Sequence, residues 1–224
     1  MAFSEEWETL YKNGRDMVKW PWGDVISLTK HYTKLGPDSN VLELGVGSGA
    51  NIPFFLSEDV NFYGIDGSAT IAENLRKRFE QPKIHIECGD FTSEIPFDVK
   101  FDMIFDRASV TCNSTEDIKK TVELIKDALK DGGIFIGVEW FSINSEIFKD
   151  GEYEIIDDHT RVYHSGYFAE KGRKHFADLD HIKELFGDGW EFLYACEKKR
   201  VDHILQPGHN EGFDASWNFV CRKM

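Results

Sequence analysis

The sequence predicts an α/β fold, a mostly parallel sheet with helices on both faces, as a single domain spanning residues 1–224. Three observations predict it. Short apolar runs alternate with longer amphipathic segments between residues 40 and 138. A glycine-rich stretch follows the first of those runs and opens into a helical pattern. Two strand-like runs near the end of the chain flank a reversal, so they can pair antiparallel at the sheet edge.

Taken in order, residues 4–13 and 24–35 read as two helices joined by Trp20-Pro21-Trp22-Gly23, which makes residues 1–38 an N-terminal helical cap. Leu35-Gly36-Pro37-Asp38 stops the second helix. Val41-Leu42-Glu43-Leu44 is a buried strand, followed by the glycine loop and a helix near 49–57. Phe62-Tyr63-Gly64-Ile65 is the second strand, and Ile71, Leu75 and Phe79 space a helix over 68–79. Strands at 84–88 and 101–105 follow, then a helix over 115–130 with Ile118, Val122, Ile125 and Leu129 on one stripe. Asp131-Gly132-Gly133 ends that helix before a fifth strand, Ile134 to Val138. Residues 141–176 are polar and aromatic without a clean period, as in a lid or an inserted hairpin. A helix at 178–186 precedes the two closing runs, 190–200 and 215–222, with the bend at 206–212.

Composition narrows the function. Of 224 residues, 41% are hydrophobic and 14% aromatic, enough for a packed core. With 40 acidic against 26 basic side chains the net charge is −14, which speaks against a nucleic-acid partner and for a small or locally recognised substrate. No apolar run approaches the length of a membrane span, and the acidic start does not read as a signal peptide. Cys88, Cys112, Cys196 and Cys221 are scattered, and Cys88, Cys196 and Cys221 sit in apolar runs as small core residues do. With no paired ligand spacing, neither a disulfide framework nor a metal site is expected, and the compartment expected is cytoplasmic.

The strongest motif is Leu42-Glu43-Leu44-Gly45-Val46-Gly47-Ser48-Gly49-Ala50. Glycines there permit positive φ and close approach to a ligand, and the helix N-terminus beyond them offers free N–H groups. Gly45, Gly47 and Ala50 also satisfy a dinucleotide fingerprint, and Asp66 follows at the distance where an acid takes ribose hydroxyls. A nicotinamide oxidoreductase therefore stays open on the loop alone.

Five pieces in order raise its specificity: Glu43-Leu44-Gly45-Val46-Gly47-Ser48-Gly49, Gly64-Ile65-Asp66-Gly67-Ser68, Gly89-Asp90-Phe91, Phe101-Asp102-Met103-Ile104-Phe105-Asp106-Arg107, and Leu129 through Ile136 with its Asp131-Gly132-Gly133 turn. Together they resemble the class I S-adenosylmethionine-dependent methyltransferases over residues 40–138. The resemblance implies a Rossmann-like seven-stranded sheet with an antiparallel last strand, and S-adenosyl-L-methionine as cofactor. It implies that the glycine loop backs the methionine part and that Asp66, beside Gly67, takes the ribose hydroxyls. Asp90 would face the adenine amino group, with Phe91 beside the ring.

Methyl transfer from a sulfonium needs in-line positioning of an acceptor and, for some acceptors, removal of a proton. Acceptor-facing residues are expected beyond the carboxyl ends of the strands. Asp106 and Arg107 after the fourth strand are candidates, Asp106 as base or as a further cofactor contact and Arg107 for a carboxylate or phosphate; an Asp–Arg pair bracing the loop is the alternative. Glu139 and Trp140 after the fifth are candidates for the acceptor, because an acid ending a buried run needs a partner. From the cap, Trp20, Trp22 and Tyr11 are expected to close over the cofactor and acceptor, and Arg15 to pair with the cofactor carboxylate, while Trp7 is assigned to core packing. Among the histidines, which include His159, His164, His181 and His203, His175 is the expected general base, and His181 is expected on a helix surface. Lys171, Arg173 and Lys174 mark either an anionic acceptor or solvated loop charge. The function expected is methylation of an oxygen or nitrogen of a small polar molecule such as a sugar or carboxylic acid, by a monomer or homodimer without nucleic-acid or membrane partners. A protein or RNA methyltransferase is the alternative.

Overall fold

The computed structural model describes residues 5–15, 17–202 and 212–224. His203 and nearly all of the bend at 206–212 fall outside them. The chain begins with α1 (Glu5–Lys12) and α2 (Gly23–Tyr32). Then β1 (Asn40–Leu44), α3 (Ile52–Ser57), β2 (Asn61–Asp66), α4 (Ala69–Arg78), β3 (Ile84–Cys88) and β4 (Phe101–Arg107) alternate as the pattern requires. The second half holds α5 (Thr115–Ala128), β5 (Leu129–Phe141), the short strands β6 (Tyr153–Ile155), β7 (Thr160–Tyr163) and β8 (Arg173–His175), α6 (Leu179–Phe186), β9 (Trp190–Asp202) and β10 (Gly212–Lys223).

Seven strands form one sheet in the order β3-β2-β1-β4-β5-β10-β9. The first five pair in parallel, and β10 runs antiparallel to both β5 and β9. The last strand is therefore inside the sheet and β9 takes the edge. β1 and β4 read as continuous apolar runs because helices cover both faces. On one face α5 and α6 bury Ile118, Val122, Ile125, Ile182, Leu185 and Phe186. On the other, α2, α3 and α4 bury Val25, Leu28, Ile52, Phe55, Ile71 and Leu75. Ser68, Ser114 and Asp178 cap α4, α5 and α6 by accepting from backbone N–H groups in the first turn.

Residues 141–176 hold more than the expected hairpin. β6, β7 and β8 make a separate three-stranded antiparallel sheet with its own aromatic core of Tyr163, Phe168 and Phe176. Among the cysteines Cys221 is buried as expected, whereas Cys88 is exposed at the strand end. No helix among the described residues is long and apolar enough to cross a membrane.

One irregularity in β5 shapes everything beyond its carboxyl end. Opposite the register break between Trp217 and Phe219 in β10, Glu139 adopts a φ of 55°, and its N–H donates to Asn218 Oδ1 at 2.9 Å. The bulge reverses the alternation of the strand. Ile136 and Val138 face one core cluster, but Trp140 turns to the other, where it is fully buried and donates Nε1–H to Asp106 Oδ2 at 2.8 Å. Removing that donor leaves a buried carboxylate oxygen short of a partner. Trp140→Phe is expected to lower the unfolding free energy by about 2 kcal/mol, read from the denaturant midpoint.

Candidate active site

A cavity of about 680 Å³ opens beyond the carboxyl ends of β1, β2, β4 and β5, within the size range of small-molecule sites. Its floor is built by three acids at strand ends. Glu43 in β1 is buried; its Oε1 accepts from Asn51 Nδ2 at 2.7 Å, and its Oε2 is buried without a hydrogen-bond partner. Burial, with the Asp106 and Asp66 carboxylates near it, holds the Glu43 carboxyl well above the usual range, against the pull of Asn51 and Arg107. Asp66 ends β2 and accepts from Gly47 N at 2.8 Å and Ser68 N at 2.9 Å. Desolvation still pushes it up to about 6. Asp90 follows β3, with Oδ1 accepting from the backbone N–H and the hydroxyl of Thr92.

The glycine loop turns tightly because Gly45, Gly47 and Gly49 all have positive φ, which other side chains avoid. Gly45 has φ of 67°, and a Cβ there would strike the Ser109 side chain. Gly49, with φ of 74°, instead faces Leu75, Ile52 and Phe79, so its missing side chain serves the seating of the loop on α4 and it does not line the cavity.

Of the residues expected at the site, Glu43, Gly45, Gly47, Asp66, Gly67, Asp90, Phe91, Tyr11, Trp22, Arg107 and Glu139 line this cavity. Arg107 stacks on Trp22, its guanidinium carbon 3.6 Å from the ring centroid, and forms an ion pair with Glu139. The bulge aims Glu139 into the cavity.

Other expectations are corrected. Asp106 is wholly buried, and its oxygens accept from Ser109 N and Val110 N, both at 2.9 Å, as well as from Trp140. Burial pushes it up to about 7 against those three donors, but it stands behind the cavity wall as a brace for the β4 turn. Trp140 is its buried partner and meets no ligand space. Trp20 is 70% exposed, with Lys19 over its ring, and Arg15 is exposed; neither lines the cavity. Trp7, assigned to packing, is on the cavity wall, 5.8 Å from Tyr11 between centroids. His175 is fully buried away from the cavity, and desolvation pushes it down to about 3, so it cannot act there as a base. His181 is buried beside it and not on the helix surface.

The sequence reading missed several wall residues. Asn51 accepts from Trp22 N at 3.1 Å and donates to Glu43, joining the cap to the floor. Cys112 and Asn113, in the turn after β4, also face the cavity. Lys174 is buried at the wall, donating to the Lys171 and Arg173 carbonyls and lying 3.5 Å from Cys112 Sγ; burial lowers its pKa. Lys198, Lys199 and Arg200 of β9 complete that side. Of the basic cluster read as either an anionic-acceptor mark or solvated loop charge, Lys171 and Lys174 line the cavity and Arg173 does not.

Residues 41–133 match a family model described as a methyltransferase domain. A protein-L-isoaspartate O-methyltransferase of Fervidobacterium nodosum is 30% identical over 147 residues, which are 62% of this chain and 70% of that protein. The chain belongs to the class I S-adenosylmethionine-dependent methyltransferases. Solved structures share the fold. A methyltransferase from Methanosarcina mazei aligns with a TM-score of 0.67 at 16% identity, covering 92% of this chain and 99% of its own. One from Anabaena variabilis aligns at 0.67 and 16% identity, covering 100% and 94%. The cofactor of this methyltransferase is S-adenosylmethionine, and this replaces the nicotinamide reading of the loop. The residues present fit such a group: a backbone cradle at Gly45 and Gly47, a carboxylate at Asp66, and an unpartnered acceptor at Glu43 Oε2.

Proposed function

We propose that this cytoplasmic enzyme methylates an oxygen or nitrogen of a small polar molecule, and that a carboxylate is the acceptor its site suits best. The carrying observation is the separation of charge across the cavity. Glu43, Asp66 and Asp90 line the side at β1, β2 and β3, while Arg107, Lys171, Lys174, Lys198, Lys199 and Arg200 line the side at β4, β9 and the 141–176 insertion, where they outnumber the two acids Glu139 and Asp214. An anionic acceptor is attracted to the second side, where cations outnumber acids.

The cofactor belongs to the acidic side, on Glu43, Gly45, Gly47, Asp66, Gly67, Asp90 and Phe91. It supplies a methyl group already activated by its sulfonium charge. Trp7, Tyr11 and Trp22 close that side and exclude water. Arg107, held on one flank by the Trp22 ring and on another by Glu139, presents a fixed guanidinium to the acceptor. A carboxylate acceptor is ionised at neutral pH and needs no base. That agrees with the burial of Asp106 and His175 outside the cavity. Glu139 positions Arg107, and it is the acid placed to take a proton from a hydroxyl acceptor. A protein carboxylate is the second reading, favoured by the isoaspartate methyltransferase likeness; the aromatic cap and the insertion around the cavity favour a small acceptor.

Labelled S-adenosylmethionine offered with panels of small carboxylates, sugars, amines and an isoaspartyl peptide decides between these. Methylation of small carboxylates is expected, with Arg107→Gln raising their KM at least about tenfold and leaving S-adenosylhomocysteine affinity within about twofold. Transfer to amines or the peptide alone, or equal loss of cofactor affinity, contradicts the assignment. The Asp66 role has its own pH signature. Below about 6 the Asp66 carboxylate gains a proton and loses acceptor capacity, so S-adenosylhomocysteine affinity should fall by up to about tenfold per pH unit. Asp66→Asn is expected to bind more weakly and to lose the Asp66 part of that dependence.

A further inference from the structure

Three histidines far apart in sequence converge where the 141–176 insertion meets α6. His159 precedes β7, His175 ends β8 and His181 is in the first turns of α6. One ring nitrogen from each can be chosen so that all three lie within 4.8 Å of one another. Their spacing in sequence has no metal-ligand pattern, so the expectation of no metal site missed them. None of the three lines the cavity.

The rings have outer partners at Nδ1, which leaves Nε2 for an ion. His159 Nδ1 is 2.9 Å from the Phe176 carbonyl oxygen, which can only accept, so the proton is on Nδ1 and Nε2 carries a bare lone pair. His175 Nδ1 is 3.0 Å from Thr160 Oγ1, and His181 Nδ1 is 3.5 Å from Glu184 Oε2. Each ring thus has an outer partner on Nδ1, the arrangement that orients ligating imidazoles. The Nε2 atoms of His175 and His181 face each other at 3.2 Å. Two nitrogens on a tetrahedral zinc ion, with Zn–N of about 2.0–2.1 Å, stand about 3.4 Å apart, so that pair is already spaced for one ion. Asp157 and Asp178, which accept from the backbone N–H groups of His159 and His181, add negative charge around the position.

We infer that His159, His175 and His181 form a zinc-class divalent cation site that ties the insertion to α6, with a water completing a four-coordinate shell. The His159 and His181 rings are stacked, 3.4 Å apart and 1° from parallel. Parallel rings cannot both aim in-plane lone pairs at one ion, so binding turns the half-buried His159 ring out of the stack. Imidazole nitrogen selects zinc, copper or nickel over magnesium or calcium. Because His175 follows Lys174 in β8, the ion would hold in place the strand that carries a cationic wall residue of the cavity.

The test titrates Zn²⁺ into the metal-free protein of residues 1–224, followed by calorimetry and thermal unfolding. One equivalent binding with Kd of about 10 µM or tighter is expected, with a higher unfolding midpoint. His159→Ala should bind at least about tenfold more weakly while His164→Ala, an exposed histidine of the same insertion, binds as wild type. If His159→Ala fails to fold, zinc-edge X-ray absorption of the loaded wild type decides the matter: a nitrogen and oxygen shell with three imidazoles supports the site. No saturable binding, unchanged affinity in a folded His159→Ala, or sulfur in the shell overturns it and leaves the histidines as a hydrogen-bonded packing cluster.

Discussion

The structure depends on three carboxylates buried side by side. Glu43, Asp66 and Asp106 end neighbouring strands of a parallel sheet, where helices on both faces keep water away. Burying a carboxylate is costly unless donors surround it, and the three are satisfied to different degrees. Asp106 takes two backbone N–H groups and the Trp140 indole, Asp66 takes two backbone N–H groups, and Glu43 takes one amide and keeps an oxygen with no partner. That gradient divides labour. The most satisfied acid braces the fold, and the least satisfied one faces the space where a ligand can complete it.

The cover over the cavity is anchored to the same floor. Trp22 N–H donates to Asn51, which donates to Glu43, so the cap loop is two hydrogen bonds away from the unpartnered acid. Glu8 in α1 accepts from the hydroxyls of Ser68 and Thr70 at the start of α4, which keeps its carboxyl down at about 2 and ties α1 to α4. On the opposite side, the bulge at Glu139 turns one residue into the cavity and the next into the core, so the Arg107–Glu139 pair and the Asp106–Trp140 bond arise from a single backbone feature.

Much of this was legible in the sequence because it obeys local rules. The buried runs Val41–Leu44 and Phe101–Phe105, the stripe of α5 and the glycine loop all follow from periodicity and turn chemistry. What was not legible depended on contacts distant in sequence. Asp66 and Asp106 both end buried strands, and only the Trp140 indole, delivered by a bulge, makes one of them structural. Trp20 and Trp22 share one loop, yet Trp22 meets Arg107 while Trp20 is left in solvent. Lys174 is hidden in a short strand whose partners lie in a fold within the insertion, and the convergence of His159, His175 and His181 comes from that same packing.

The central claim is that the cofactor completes the buried acids of the floor. Donors brought by a ligand favour the ionised form of an acid whose pKa burial has raised, so binding lowers that pKa and expels protons. Calorimetry of S-adenosylhomocysteine binding near neutral pH, repeated in buffers of different ionisation enthalpy, counts them. Net proton release is expected, sharply reduced in Glu43→Gln. Binding without proton release in the wild type, or the same release in the variant, would contradict it.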